Sequence, residues 1–138
     1  MRTKKRGPNH PDTDFSRERL GAAYNAAGLF AKSERMLRQC LTIREKNAPG
    51  GWWTLHTRSQ LGRCLLGQTK FAEAEPLIVS GYEGMKAREA KIPPSGKPLL
   101  AEAAERVVKV YEAWGKKDKA AEWRARLAKP SDEAKSRP

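Results

Sequence analysis

Two histidines and two cysteines are all the chain offers for imidazole proton transfer or soft-metal ligation. Cys40 and Cys64 sit in helical patterns with no second Cys or His at ligand spacing, so neither a disulfide framework nor a zinc site is expected. His56 has no Ser, Cys or Asp beside it in a motif that would make it a base or a ligand. No glycine-rich phosphate loop of either common spacing occurs. Accordingly no catalytic residue, metal or cofactor is expected. No apolar run approaches the roughly 20 residues of a membrane span. The basic start lacks the apolar core of a signal peptide, which makes the cytoplasm the default location. No segment alternates apolar and polar residues with hairpin punctuation, which excludes a sheet.

Acidic residues are also scarce: 16 against 28 Lys and Arg, for a net charge of +12. The opening MRTKKRGPNH carries Arg2, Lys4, Lys5 and Arg6 and no acid. A positive field of this kind attracts nucleic acid, anionic membrane or acidic protein without identifying any of them. Nucleic-acid binding therefore stands as the alternative to whatever the fold implies. A membrane partner has no apolar segment to support it.

What is present is helix. PNHPDTDFSRERLGAAYNAAG begins with the N-cap-type residues Asp12, Thr13 and Asp14. Phe15, Arg19/Leu20, Ala23/Tyr24 and Ala27 then recur at three- and four-residue steps, which predicts one buried stripe. Gly28 ends this helix, and FAKSERMLRQCLTIREK forms a second. Asn47–Gly51 and Ile92–Gly96 are Pro/Gly breaks between further pairs, and Gly67-Gln68-Thr69 is a turn within one. FAKSERML at 30–37 returns as FAEAEPLI at 71–78, an offset of 41 residues that also carries Leu20-Gly21 onto Leu61-Gly62. An offset of 46 from the second unit brings Val107, Tyr111, Gly115 and Ala120 into register. Ser33, Ala74 and Ala120 are small where the helices of a pair would cross. The fold class is all-α, an α-solenoid of about three antiparallel helix pairs spanning 11–48, 52–92 and 98–128. Residues 1–10 read as a basic segment and linker, and PSDEAKSRP as a disordered tail over 129–138.

Leu20-Gly21-x-x-Tyr24, Gly28, Phe30 and Ser33 resemble the signature of the tetratricopeptide repeat (TPR), and Leu61-Gly62, Phe71, Ala74 and Pro76 repeat it. The period resembles that of the longer kinesin-light-chain-type subclass. Gly7–Thr13 is similar to its inter-repeat linker, which implies a preceding repeat. GYEGMKAREAKIPP and the later YEAWGK are similar to the C-terminal repeats of bacterial serine/threonine protein kinases, although no kinase motif occurs here. The resemblance implies a non-catalytic protein-interaction scaffold, the recruitment region of a larger kinase in that case.

In such an array the first helix of each pair lines the concave side. Extending the register puts Glu18, Ala22 and Asn25, then His56, Ser59 and Arg63, then Glu105, Lys109 and Glu112 at exposed groove positions. A protein or peptide segment is the expected occupant. In family members that clamp an acidic C-terminal peptide, the matching positions here are Glu18, Ala22, Gln60, Glu102 and Arg106. Only Arg106 keeps the type, which disfavours that ligand. An incomplete first repeat would expose an apolar face and favour self-association. Cys40, Cys64 and at least three of the four tryptophans are expected in packing.

Overall fold

A computed structural model describes residues 11–128, with side chains described from residue 16 onward. The basic segment 1–10, the linker resemblance over residues 7–10, the tail 129–138 and the side chain of Phe15 lie outside the described residues. Six helices follow in order: α1 (Pro11–Ala26), α2 (Phe30–Asn47), α3 (Trp52–Gly67), α4 (Phe71–Ala87), α5 (Lys97–Ala113) and α6 (Lys117–Ala128). Two short 3-10 turns, Glu89–Lys91 and Pro94–Gly96, fill the second break. There is no strand among the described residues. Consecutive helices form antiparallel pairs, α1–α2, α3–α4 and α5–α6.

The turns inside the pairs repeat bond for bond. Gly28, Thr69 and Gly115 all have positive φ, at 78°, 60° and 80°. Each is followed by an amide that reaches back to the last turn of the first helix: Leu29 N–H to Tyr24 O (2.8 Å), Lys70 N–H to Leu65 O (2.9 Å) and Lys116 N–H to Tyr111 O (2.9 Å). This is the Schellman closure, which satisfies carbonyls that the helix end would otherwise leave orphaned. These positions stand at the two offsets read in the sequence. Left-handed backbone suits glycine and strains a β-branched residue by roughly 1–2 kcal/mol. Thr69→Gly is therefore expected to stabilise the protein by about 1 kcal/mol. A urea midpoint that falls in the variant would contradict this.

Close helix approach explains the small residues. Ser33, Ala74 and Ala120 are all buried at the crossings. The Ser33 hydroxyl donates to Gly21 O across the first crossing, at 2.9 Å. A Cβ on Gly21 would stand 2.7 Å from Leu37 Cγ, and one on Gly62 would stand 2.4 Å from Ile78 Cγ1. The first two pairs thus lock by seating one aliphatic side chain of the second helix on a glycine of the first.

One core runs through all three pairs, built on Leu37, Leu41, Leu61, Leu65, Ile78, Val107, Val110 and Trp123. A second cluster, Leu55, Met85, Ile92, Leu100 and Ala103, ties the linker between the second and third pairs to both. Trp52 and Trp114 pack half-buried against these clusters and Trp123 is buried, while Trp53 stays exposed. Cys40 and Cys64 are fully buried packing residues. The Cys64 thiol donates to Phe30 O of the preceding pair.

The buried stripe of α1 differs from the expectation. Leu20 is 39% exposed, and Ala23 and Ala27 are also exposed, whereas Glu18, Gly21 and Asn25 are buried. The repeat explains why. The equivalents of Leu20 and Ala23 are Leu61 and Cys64, which pack against the preceding pair. In α1 that stripe has no helix pair beside it among the described residues, so its polar stripe, not its apolar one, is buried.

Candidate functional site

The first helices of the pairs, α1, α3 and α5, lie side by side, and the second helices are spread farther apart. The first helices therefore form the concave side of a curved array. On that side lies an open cleft of about 510 Å³. Its walls come from all three pairs: Asn25 from α1, Phe30 from α2, Arg63 and Leu66 from α3, and Glu102, Glu105, Arg106 and Lys109 from α5. Helical spacing makes this possible. Residues 102, 105, 106 and 109 share one face of α5, and 63 and 66 share one face of α3.

Of the groove residues read from the sequence, Asn25, Arg63, Glu105 and Lys109 meet in this cleft. Their exposure differs. Glu105 and Lys109 are exposed and Arg63 is half-buried, but Asn25 is buried. Glu18, His56 and Ser59, read as exposed, are buried as well. Ala22 is half-buried, and Glu112 is exposed and paired with Arg124. Burial of Glu18, His56 and Ser59 has one cause: each is occupied by a partner inside the protein.

Glu18 accepts from Arg44 of α2 with one carboxylate oxygen and meets His56 Nδ1 of α3 with the other. Arg44 also donates to Thr57 Oγ1, at 3.0 Å. The three groups tie α1, α2 and α3 together with almost no access to water. Burial opposes the charge on Glu18, yet the hydrogen bond and charge of His56, followed by the charge of Arg44, hold its carboxyl below the usual carboxylate range. Farther along the same face, the Arg106 guanidinium donates to Ser59 Oγ at 2.7 Å. Asn25 Nδ2 donates to Gln60 O at 3.3 Å. Asn25 Oδ1 and Gln60 Oε1 are buried without a hydrogen-bond partner among the described residues.

Burial pushes Arg106 down to about 10, and the nearby charge of Arg63 pushes in the same direction; Glu102 and Glu105 oppose both. The cleft thus joins two guanidiniums, the Lys109 ammonium, the carboxylates of Glu102 and Glu105 and an apolar ledge of Phe30 and Leu66. Among the described residues no cluster of three or more His, Cys, Asp or Glu could hold a metal ion. No described helix is long and apolar enough to cross a membrane.

Sequence reasoning missed Arg44 as a partner of Glu18. The signal was there: Ser33, Leu37, Leu41 and Arg44 follow one helical stripe, so a charge lay on the buried face of α2. Phe30, read from the sequence only as part of the repeat signature, packs against the core and also lines the cleft.

No family model and no curated protein matches the sequence. Among solved structures, the chain superposes on the nearly identical TPR-like repeats assigned to a kinesin light chain of Podosopora anserina. In a single-substitution variant of that protein the TM-score is 0.67 at 23% identity, over 90% of this chain. The fold is TPR-like. A second structure of those repeats gives 0.63 at 24% identity over 87% of the chain. The chain spans 57% and 56% of the two neighbours' lengths.

Proposed function

We propose that this TPR-like array is a non-catalytic scaffold that binds a peptide or protein segment in its concave cleft. The observation carrying the reading is that α1, α3 and α5 bring Asn25, Arg63, Glu105 and Lys109 to one open trough in a fold whose members generally serve protein interaction. Polar groups along a trough with an apolar ledge suit an extended segment, whose side chains reach several repeats. The likeness of GYEGMKAREAKIPP and YEAWGK to the repeats of bacterial serine/threonine kinases supports a finer reading, in which the array recruits substrates or partners beside a kinase domain.

Capture from a lysate of the source organism tests the cleft. The immobilised full chain is expected to retain a set of proteins that the Arg63→Glu/Lys109→Glu variant loses. Equal recovery of the same proteins by both would remove the cleft from the account.

A further inference from the structure

The two junctions between helix pairs are built alike. At each, the first helix of the earlier pair reaches the next pair from the same repeat position: Glu18 of α1 meets His56 of α3, and its equivalent Ser59 of α3 accepts from Arg106 of α5. The position after it faces the preceding pair. Gln60 O accepts from Asn25 Nδ2, and the equivalent of Gln60 is Arg106, which reaches back to Ser59. Beside it runs a stripe that the preceding pair buries, Leu61, Cys64 and Leu65 on α3, then Val107, Val110 and Tyr111 on α5. Tyr111 donates to Glu75 Oε2 of α4, at 2.6 Å.

The ends of the described array carry the two halves of one more such junction. On α1 the stripe is Leu20, Ala23 and Tyr24, the first two exposed and the third half-buried. The equivalent of Gln60 and Arg106 is Arg19, also exposed. At the other end α5 and α6 enclose an open hollow of about 820 Å³, with Ala101, Ala104, Val108 and Leu127 as its apolar surface. The equivalent of Glu18 and Ser59 is there Glu105, exposed at the edge of the hollow. Neither Arg19 nor Glu105 is in an ion pair among the described residues, and Glu105 acts on Arg106 of its own helix through space. Glu112, the other acid of the hollow, is held by Arg124, and Lys109 stands one turn from Glu105.

Opposite charges at matching positions on opposite ends suit one occupant, a second copy of this chain. MRTKKRGPNH and KPSDEAKSRP, which flank the described residues, hold one large apolar residue between them, Met1, too little to cover either face. A two-fold pairing of α1 with itself gives Arg19 no acid. Glu18, the only acid on α1 from residue 16 onward, is taken by Arg44 and His56.

We propose that the chain associates head to tail, with α1 of one copy seated on the α5–α6 hollow of the next. Leu20 and Ala23 pack against Val108 and Leu127 of the other copy, and Arg19 pairs with its Glu105, as Arg106 meets Ser59 within the chain. The contact is heterologous, so a third copy adds in the same way as the second. It borders the concave cleft and does not depend on what the cleft binds.

Sedimentation velocity of the full chain tests this from about 10 μM to 1 mM, the range in which weak interfaces fill. The mass of wild type is expected to rise with concentration past two copies. Arg19→Glu and Glu105→Arg each bring like charges together, and each should raise the concentration needed by about tenfold or more. Both side chains are exposed, and circular dichroism checks that the fold is kept. Arg19→Glu/Glu105→Arg restores opposite charges at every contact. It is expected to associate as wild type does, but not to mix with it. A monomeric wild type throughout the range overturns the proposal. A mass that stops at two copies, weakened by Arg19→Glu but not by Glu105→Arg, replaces it with a two-fold pairing of α1. Association that neither single change weakens, or that the double change fails to restore, overturns the Arg19–Glu105 contact.

Discussion

Glu18→Ala is expected to destabilise the protein by about 3–5 kcal/mol, the usual cost of removing one partner from a buried ion pair. The reason lies less in the bonds lost than in what they leave behind. Arg44 is only 3% exposed, and without Glu18 its guanidinium and the His56 ring lose their shared acceptor. Because Glu18 joins α1 to both α2 and α3, the loss should loosen the first helix before the others. Urea unfolding would show a lower midpoint, and hydrogen exchange would show α1 amides losing protection first. A change below about 1 kcal/mol, the size of an exposed pair, would mean the triad is hydrated.

The same carboxylate predicts a pH dependence whose sign follows from its depressed pKa. The folded protein holds the Glu18 proton less tightly than the ordinary value of 4.5, so the unfolded chain takes it up first as acid is added. The stabilisation is complete well above pH 4.5 and is lost as pH falls below it. Wild type should therefore lose stability more steeply than Glu18→Ala on the acid limb. Parallel acid limbs for the two proteins would contradict the assignment.

Ile78→Ala is the second large effect, expected to cost about 2–5 kcal/mol. Ile78 is fully buried and rests on Gly62, where even a single added carbon would overlap it. Removing it opens a hole beneath a helix backbone, which Ala74 at the crossing cannot fill. The consequence extends beyond one site because a repeat array is held by nearest-neighbour contacts. The second pair stands between the first and the third and packs against both. Its weakening should broaden the urea transition or split it, with tryptophan fluorescence and circular dichroism no longer coinciding. A single sharp transition with an unchanged midpoint would show that the central pair does not carry the array.

Much of this was legible in the sequence, for local physical reasons. Gly28 and Gly115 mark left-handed turn positions that few other residues adopt, and the small residues at 33, 74 and 120 mark close crossings. Both kinds of constraint act within one helix pair, where sequence spacing translates directly into geometry. Thr69 was read only as part of the Gly67-Gln68-Thr69 turn, and its left-handed backbone needed the structure to appear. The face that α1 buries was not legible. Its sequence offers two stripes, and the choice depends on which helices stand beside it. Nor was the Glu18 triad, whose partners lie 26 and 38 residues away with no motif between them. Register alone placed Asn25, Arg63, Glu105 and Lys109 on one side, but burial of Asn25 and Arg106 needed tertiary packing to appear.

The cleft assignment is tested most directly by comparing what three proteins capture: wild type, Arg63→Glu/Lys109→Glu in the cleft, and Arg38→Glu/Arg126→Glu on the exposed second helices. All three should fold, since every altered side chain is exposed to solvent or lines the open trough. The account predicts that the second-helix variant keeps the partners of wild type and the cleft variant loses them. Loss in both variants alike would trace binding to overall positive charge, and loss in the second-helix variant alone would place the interface on the opposite side of the array.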